Sequence, residues 1–211
     1  VCSSLTSVTI PNSVTEIGTG AFRDCRSLKE FTGKYAADGG RCLIMDNTII
    51  AYASASGTKY TIPSSVKTIG ESAFSDCSSL TSVMIPNGII MIGAEAFRGC
   101  NGLTDVTIPD SVTEIKDNLF GRCCNIREFK GRFATDCGRS LIVDGVLNAF
   151  AASCGATEYT IPDSVTIIGA EAFWGCDSLT SVTIPEGVTL IGKLAFSRCD
   201  CLKIIYCKST T

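Results

Sequence analysis

Apolar residues recur at nearly every third position through most of this chain. That spacing fits neither a long helix, with its period of about 3.6, nor a long strand, with its period of about 2. It fits a chain wound around one narrow core, turning a residue inward about once per bend. Counted from proline, the unit reads Ile-Pro-x-x-Val-x-x-Ile-Gly-x-x-Ala-Phe-x-x-Cys-x-x-Leu-x-x-Val-x-Ile. All six prolines, Pro11, Pro63, Pro86, Pro109, Pro162 and Pro185, follow an isoleucine. Where nothing intervenes, as from Pro63 to Pro86 to Pro109, they lie 23 residues apart. A fixed period in that range marks a solenoid, in which each repeat is one turn of a spring and function lies on an extended surface.

The unit predicts its own elements. Leu-x-x-Val-x-Ile ends in the alternation of a short strand, as in Leu80, Val83 and Ile85. The proline that follows cannot donate to a ladder and ends the pairing. The glycine after the second isoleucine is expected to supply a bend with positive φ. Ala-Phe-x-x-Cys reads as a single helical or 3₁₀ turn, its Phe a plug: Phe22, Phe74, Phe97, Phe120, Phe173 and Phe196. The Pro109 repeat has Lys116 for the glycine and Leu119 for the alanine, so a bend or loosening is expected there.

Two copies are interrupted after the strand, over about 32–59 and 130–158. Asp38-Gly-Gly-Arg-Cys-Leu-Ile-Met-Asp46 resembles Asp136-Cys-Gly-Arg-Ser-Leu-Ile-Val-Asp144, and each runs on into a second apolar stretch. Asp144-Gly145, and more weakly Asp46-Asn47, predict hairpin turns. Each insert reads as a β-hairpin linked to the strands on either side. The whole pattern then repeats at about 98 residues, Cys2 matching Cys100 and Phe31 matching Phe129. No linker divides the halves, so residues 1–211 read as one domain. The chain opens in mid-repeat at Val1-Cys2-Ser3-Ser4-Leu5, the start expected of a fragment of a longer chain.

Composition narrows the chemistry. There is no histidine, which removes Ser-His-Asp and Cys-His catalysis and the commonest metal ligand. Net charge is −3 and no Lys/Arg run exceeds two residues, so no nucleic-acid footprint is present. No apolar stretch is long enough to predict a membrane-spanning helix. Of thirteen cysteines, seven hold one place in the repeat: Cys2, Cys25, Cys77, Cys100, Cys123, Cys176 and Cys199. They are expected to stack as buried free thiols. Cys42, Cys137, Cys154 and Cys207 are expected to be the accessible ones. Cys137–Cys154 and Cys201–Cys207 are candidate disulfides. Zinc-type C-x₂₋₄-C pairs are missing, so a Cys-based metal site is a remote alternative and no cofactor is expected.

The run Cys77-Ser-Ser-Leu-Thr-Ser-Val-Met-Ile-Pro86, followed by Ile-Gly-x-x-Ala-Phe at Ile92 to Phe97, resembles the BspA-type, or Treponema-type, leucine-rich repeat. The resemblance covers essentially the whole chain. It implies a right-handed leucine-rich-repeat solenoid, a surface or extracellular location, and adhesion to host proteins or other cells without a shared catalytic site. The expected function is therefore a non-enzymatic adhesion or protein-interaction module whose partner is a host matrix protein, a cell-surface protein or a glycan. A structural spacer presenting another domain is the alternative. On the outward side of the strands most repeats carry Thr and Ser, but two differ. Lys29 and Glu30 mark one; Arg127, Glu128, Lys130 and Arg132 mark the other. Both lead into inserts. At about 4.8 Å per turn they would lie roughly 19 Å apart, two related docking patches.

Overall fold

The computed structural model describes residues 2–208; Val1 and residues 209–211 lie outside it. It is a β-solenoid of about nine turns, and among the described residues there is no helix. Each turn contributes a strand to a front ladder: β1 (Ser7–Ile10), β2 (Glu30–Gly33), β6 (Lys59–Thr61), β8 (Ser82–Met84), β10 (Asp105–Ile108), β12 (Glu128–Gly131), β16 (Glu158–Thr160), β18 (Ser181–Ile184) and β20 (Ile204–Cys207). Two-residue strands form a second ladder after the proline turn: β7 (Thr68–Ile69), β9 (Met91–Ile92), β11 (Glu114–Ile115), β17 (Ile167–Ile168) and β19 (Leu190–Ile191). All pairing within the two ladders is parallel. Val, Ile and Thr dominate both because branched side chains pack well on a pleated surface.

The front strands alternate as the sequence requires. Val8, Phe31, Tyr60, Val83, Val106, Phe129, Tyr159 and Val182 point inward, and all but Val8 are buried. On the far side the Phe residues stack. Phe74, Phe97 and Phe120 follow one another with ring centroids 5.0 and 5.5 Å apart, and Phe173 meets Phe196 at 4.9 Å. Phe22 and Phe196, in the first and last of these turns, are only half-buried.

Three local expectations are corrected. The glycine of Ile-Gly does not have positive φ. Gly70, Gly93, Gly169 and Gly192 are needed because the previous turn passes too close for a side chain: a Cβ on Gly93 would sit 2.5 Å from the Glu71 nitrogen. The left-handed residue falls two places later, at Gly20, Ser72, Glu95, Asn118, Glu171 and Leu194. A second falls at Asp24, Asp76, Gly99, Arg122, Gly175 and Arg198. These explain the missing helical turn. Ser75 N–H donates to Ser72 and Cys77 N–H to Phe74, three-residue steps each interrupted before a helix can propagate. The Pro109 repeat does not loosen either. Glu95, Phe97 and Gly99 N–H donate to Asp117, Leu119 and Gly121 in normal stacking.

The inserts depart furthest from expectation. Each is a three-stranded meander: β3 (Ala36–Ala37), β4 (Cys42–Met45) and β5 (Thr48–Tyr52), then β13 (Ala134–Thr135), β14 (Ser140–Val143) and β15 (Val146–Phe150). The predicted hairpin turns are present, with left-handed Asp46-Asn47 and Asp144-Gly145. But β5 pairs parallel with β7, and β15 with β17. The insert is itself a turn of the spring. Ile49 and Leu147 accept from Gly70 and Gly169, as Ile69 accepts from Gly93. Tyr52 and Phe150 take the Phe place, stacked on Phe74 and Phe173 at 5.1 and 5.2 Å.

Because the meander lies inside the solenoid, it is buried on both faces and partitions the core. Leu43, Ala51 and Ala53 pack toward Ile10, Leu28 and Phe31, whereas Cys42, Ile49 and Tyr52 pack toward Phe74. Likewise Leu141, Ala149 and Ala151 face one compartment and Leu147, Phe150 and Ala152 the next. Cys42, expected to be accessible, is fully buried and accepts a hydrogen bond from the Tyr60 hydroxyl at 3.2 Å. Burial pushes its thiol above the ordinary range. Ser140 takes the same role beneath Tyr159 at 2.9 Å. The shared Asp-x-Gly-Arg motif is structural too. Asp38 pairs with Arg41 at 2.6 Å and Asp136 with Arg139 at 2.7 Å, each Arg lying over the Tyr ring.

Candidate functional site

The front ladder presents side chains in columns, because parallel pairing sets equivalent residues side by side. One column places Ser7 beside Glu30, Lys59 beside Ser82, Asp105 beside Glu128, and Glu158 beside Ser181 and Ile204. The next places Thr9 beside Thr32, Thr61 beside Met84, Thr107 beside Lys130, and Thr160 beside Thr183 and Tyr206. Short hydroxyl side chains bond along the ladder, as with Thr9 and Thr32 at 2.7 Å. Little conformational entropy is left to lose on binding, since the backbone beneath is fixed by pairing.

The sequence-predicted charged residues lie on this face. Lys29, Glu30, Arg127, Lys130 and Arg132 are exposed and Glu128 is half-exposed. Lys130 is paired with Glu128 at 2.9 Å, and that hydrogen bond holds its amine above the ordinary lysine range. The Arg132 guanidinium donates to the Asp110 carbonyl at 3.0 Å and lies over Phe133. Each charged strand abuts the opening turn of its insert. Phe31 N–H donates to Gly40 at 2.7 Å and Phe129 N–H to Gly138 at 2.8 Å. The first insert and the three front strands β6, β8 and β10 separate Lys29 and Glu30 from the Arg127–Arg132 group, so the structure gathers each group locally and leaves the two separate.

Sequence reasoning missed other members of the face. Lys59, Asp105 and Glu158 put charge on strands taken as hydroxyl-rich, and Met84 is exposed among them. Their position three residues before Ile62, Ile108 and Ile161, the isoleucines that end the strands, was the available signal. At the far end Tyr206, Lys203, Glu158 and Thr160 line a shallow groove of about 430 Å³.

Away from the front, charges bridge the inserts. Arg98 and Glu171, both buried, form two 2.8 Å hydrogen bonds across the second insert, and Arg122 adds a third at 3.2 Å. Burial alone would raise the Glu171 carboxyl; the hydrogen bonds and charges of Arg98 and Arg122 outweigh it and hold the group below the usual range. Gly121 lies beneath this clasp, where a Cβ would collide with Asn118 and Glu171. Arg23 spans the first insert to Glu95 at 2.7 Å.

The cysteine ladder is a packing device. Cys25, Cys77, Cys100, Cys123 and Cys176 are buried, while Cys2 and Cys199, at the two ends, are exposed and half-buried. Cys100, Cys123 and Cys199 donate to the carbonyls of Phe74, Phe97 and Phe173 in the turn before, at 2.9 to 3.1 Å. All thirteen thiols are free, including both candidate disulfide pairs. Among the described residues no three Cys, Asp or Glu side chains converge to share a metal ion, and no helix is long and apolar enough to cross a membrane.

The sequence profile of the BspA type leucine rich repeat region matches in six copies, over residues 1–38, 45–133 and 147–211. The unmatched stretches hold most of β4 and all of β13 and β14. A leucine rich cell surface protein from Faecalibacterium prausnitzii is similar over 97% of this chain and 62% of its own, with 28% identity and a TM-score of 0.73. The pneumococcal vaccine antigen PcpA matches over 95% of this chain and 50% of its own, with 23% identity and a TM-score of 0.68, which shows the fold alone. The chain thus spans less than two thirds of either protein. A search of curated proteins finds no match. Nearly the whole length carries the family pattern, and the solved structures share its coil: the chain belongs to the BspA-type leucine-rich repeat family.

Proposed function

We propose that the chain is a non-enzymatic, cell-surface adhesion module that binds a protein through the front strand face. The observation that carries this reading is the row of nine front strands, whose small polar columns carry charge densest at Lys29 and Glu30 on one turn and at Arg127, Glu128, Lys130 and Arg132 on another, with single charges at Lys59, Asp105 and Glu158. A rigid, repeated face with local charge suits a protein surface, where charge sets register and encounter rate more than bulk affinity. The likeness to a leucine rich cell surface protein supports the location. Two charged groups on one rigid body would add avidity for a partner that spans both. The inserts contribute through their exposed turns beside β2 and β12, since their strands are buried.

The test is a binding screen of the chain against arrayed host matrix proteins, cell-surface proteins and glycans. Saturable binding to a protein that is weakened by rising salt supports the proposal. Binding confined to glycans, or absent from every class, overturns it.

A further inference from the structure

In the middle of the chain the second ladder carries an apolar ridge where other turns are polar. Parallel pairing sets Thr68, Met91 and Glu114 side by side, and Gly70, Gly93 and Lys116 stack just beyond them. The place of Ile90 is held by Lys67, Thr113, Thr166 and Thr189 in other turns. Ile90 itself is 50% exposed, and Met91 beside it is half-buried. Next to this ridge runs a furrow of about 590 Å³, lined by Gly70, Glu71, Met91, Gly93, Ala94 and Ile115 and reaching Lys116 and Asp117 at one end. Its two flanks carry opposite charge within each turn. At the Pro63 turn Lys67 stands on the ridge flank and Glu71 on the other, both exposed and without an ion pair among the described residues. At the Pro109 turn the order is reversed, Glu114 on the ridge flank and Lys116 on the other, joined to each other.

We propose that this ridge and furrow are the interface of a homodimer whose two-fold axis runs along the furrow. Such an axis exchanges the two flanks within each turn, so that one patch meets itself. It sets Met91 of one copy over Gly93 of the other, Ile90 against Ala94, and Lys67 against Glu71, and each contact occurs twice. An apolar ridge then fills a furrow whose floor has no side chains, and removes Ile90 and Met91 from water. The two free charges of the Pro63 turn gain partners of opposite sign. An axis across the furrow at Met91 would instead set Glu71 against Asp117, a like-charge contact that disfavours that arrangement. Glu114 and Lys116 lie at the rim, already paired, and add little. No front-strand residue takes part, so the proposed binding face of each copy stays free.

Sedimentation of the chain over a concentration series tests this. A reversible dimer is expected. Met91→Glu is expected to weaken it at least about tenfold, because it buries a charge where Gly93 offers no partner. Lys67→Glu and Glu71→Lys, at exposed positions outside the core, are each expected to weaken it as well. The two together are expected to restore it, because the exchanged charges again meet across the axis, a coupling that independent sites would not show. Far-UV circular dichroism is expected to be the same for all four variants. The proposal is overturned by a chain that stays monomeric up to about 1 mM, by a dimer that Met91→Glu leaves intact, or by a charge exchange that fails to restore association.

Discussion

The same residue type does different work at one repeat position depending on what lies on the turn before it. Gly93 is crowded by the Glu71 backbone, whereas Gly18, in the first full turn, has nothing within 4 Å of a Cβ. Both have ordinary φ. Gly93→Ala is therefore expected to destabilise by about 1–3 kcal/mol through overpacking. Gly18→Ala is expected to be neutral, or stabilising by up to about 1 kcal/mol through the unfolded chain. Denaturant midpoints of the two variants check this, and equal losses would mean that the glycine serves φ after all. The periodic glycine was legible in the sequence as a requirement, but its cause was not. A close backbone approach leaves no trace in the string beyond the glycine itself.

Elements were legible where the repeat is regular and illegible where it is shortened. Ile69 to Phe74 spans five residues, but Ile49 to Tyr52 and Leu147 to Phe150 span only three; Ala51 and Ala149 precede the rings, but the Gly that announces the plug is missing. Tyr52 and Phe150 therefore went unread, and the inserts looked like added hairpins rather than turns. Burial on both faces is the physical difference. A hairpin laid on the surface tolerates change on one face, whereas Leu141 and Leu147 face different compartments and are both fully buried. Leu141→Ala and Leu147→Ala are each expected to cost about 2–5 kcal/mol. An unaltered melting curve for either would show that its face of the insert is not core.

Over the whole molecule the inserts raise a problem of continuity, since the front ladder breaks where each enters and the second ladder breaks where the second enters. The Arg98–Glu171 clasp spans the second break. Its folded-state carboxyl is depressed, so its contribution is complete above the unfolded carboxylate pKa and is lost as pH falls through the folded value. Glu171→Gln leaves a buried guanidinium without its counter-charge, an expected loss of about 3–5 kcal/mol near neutral pH. The Tm gap between wild type and this variant should narrow as pH drops below about 4. A gap independent of pH would remove the clasp's charge from the account.

The front face is the proposed binding surface of the molecule, and Arg127 and Lys130 are its most direct handle. Both are exposed on or beside β12, whereas Lys116 lies at the other ladder, paired to Glu114. The decisive measurement is affinity, across a salt series, for the protein captured in the binding screen. Arg127→Glu with Lys130→Glu is expected to weaken binding at least about tenfold and to flatten its salt dependence, with Tm within a degree or two of wild type. Lys116→Glu is expected to change neither. Undiminished binding by the front-face variant, or an equal loss from Lys116→Glu, would contradict the assignment of binding to the front strands.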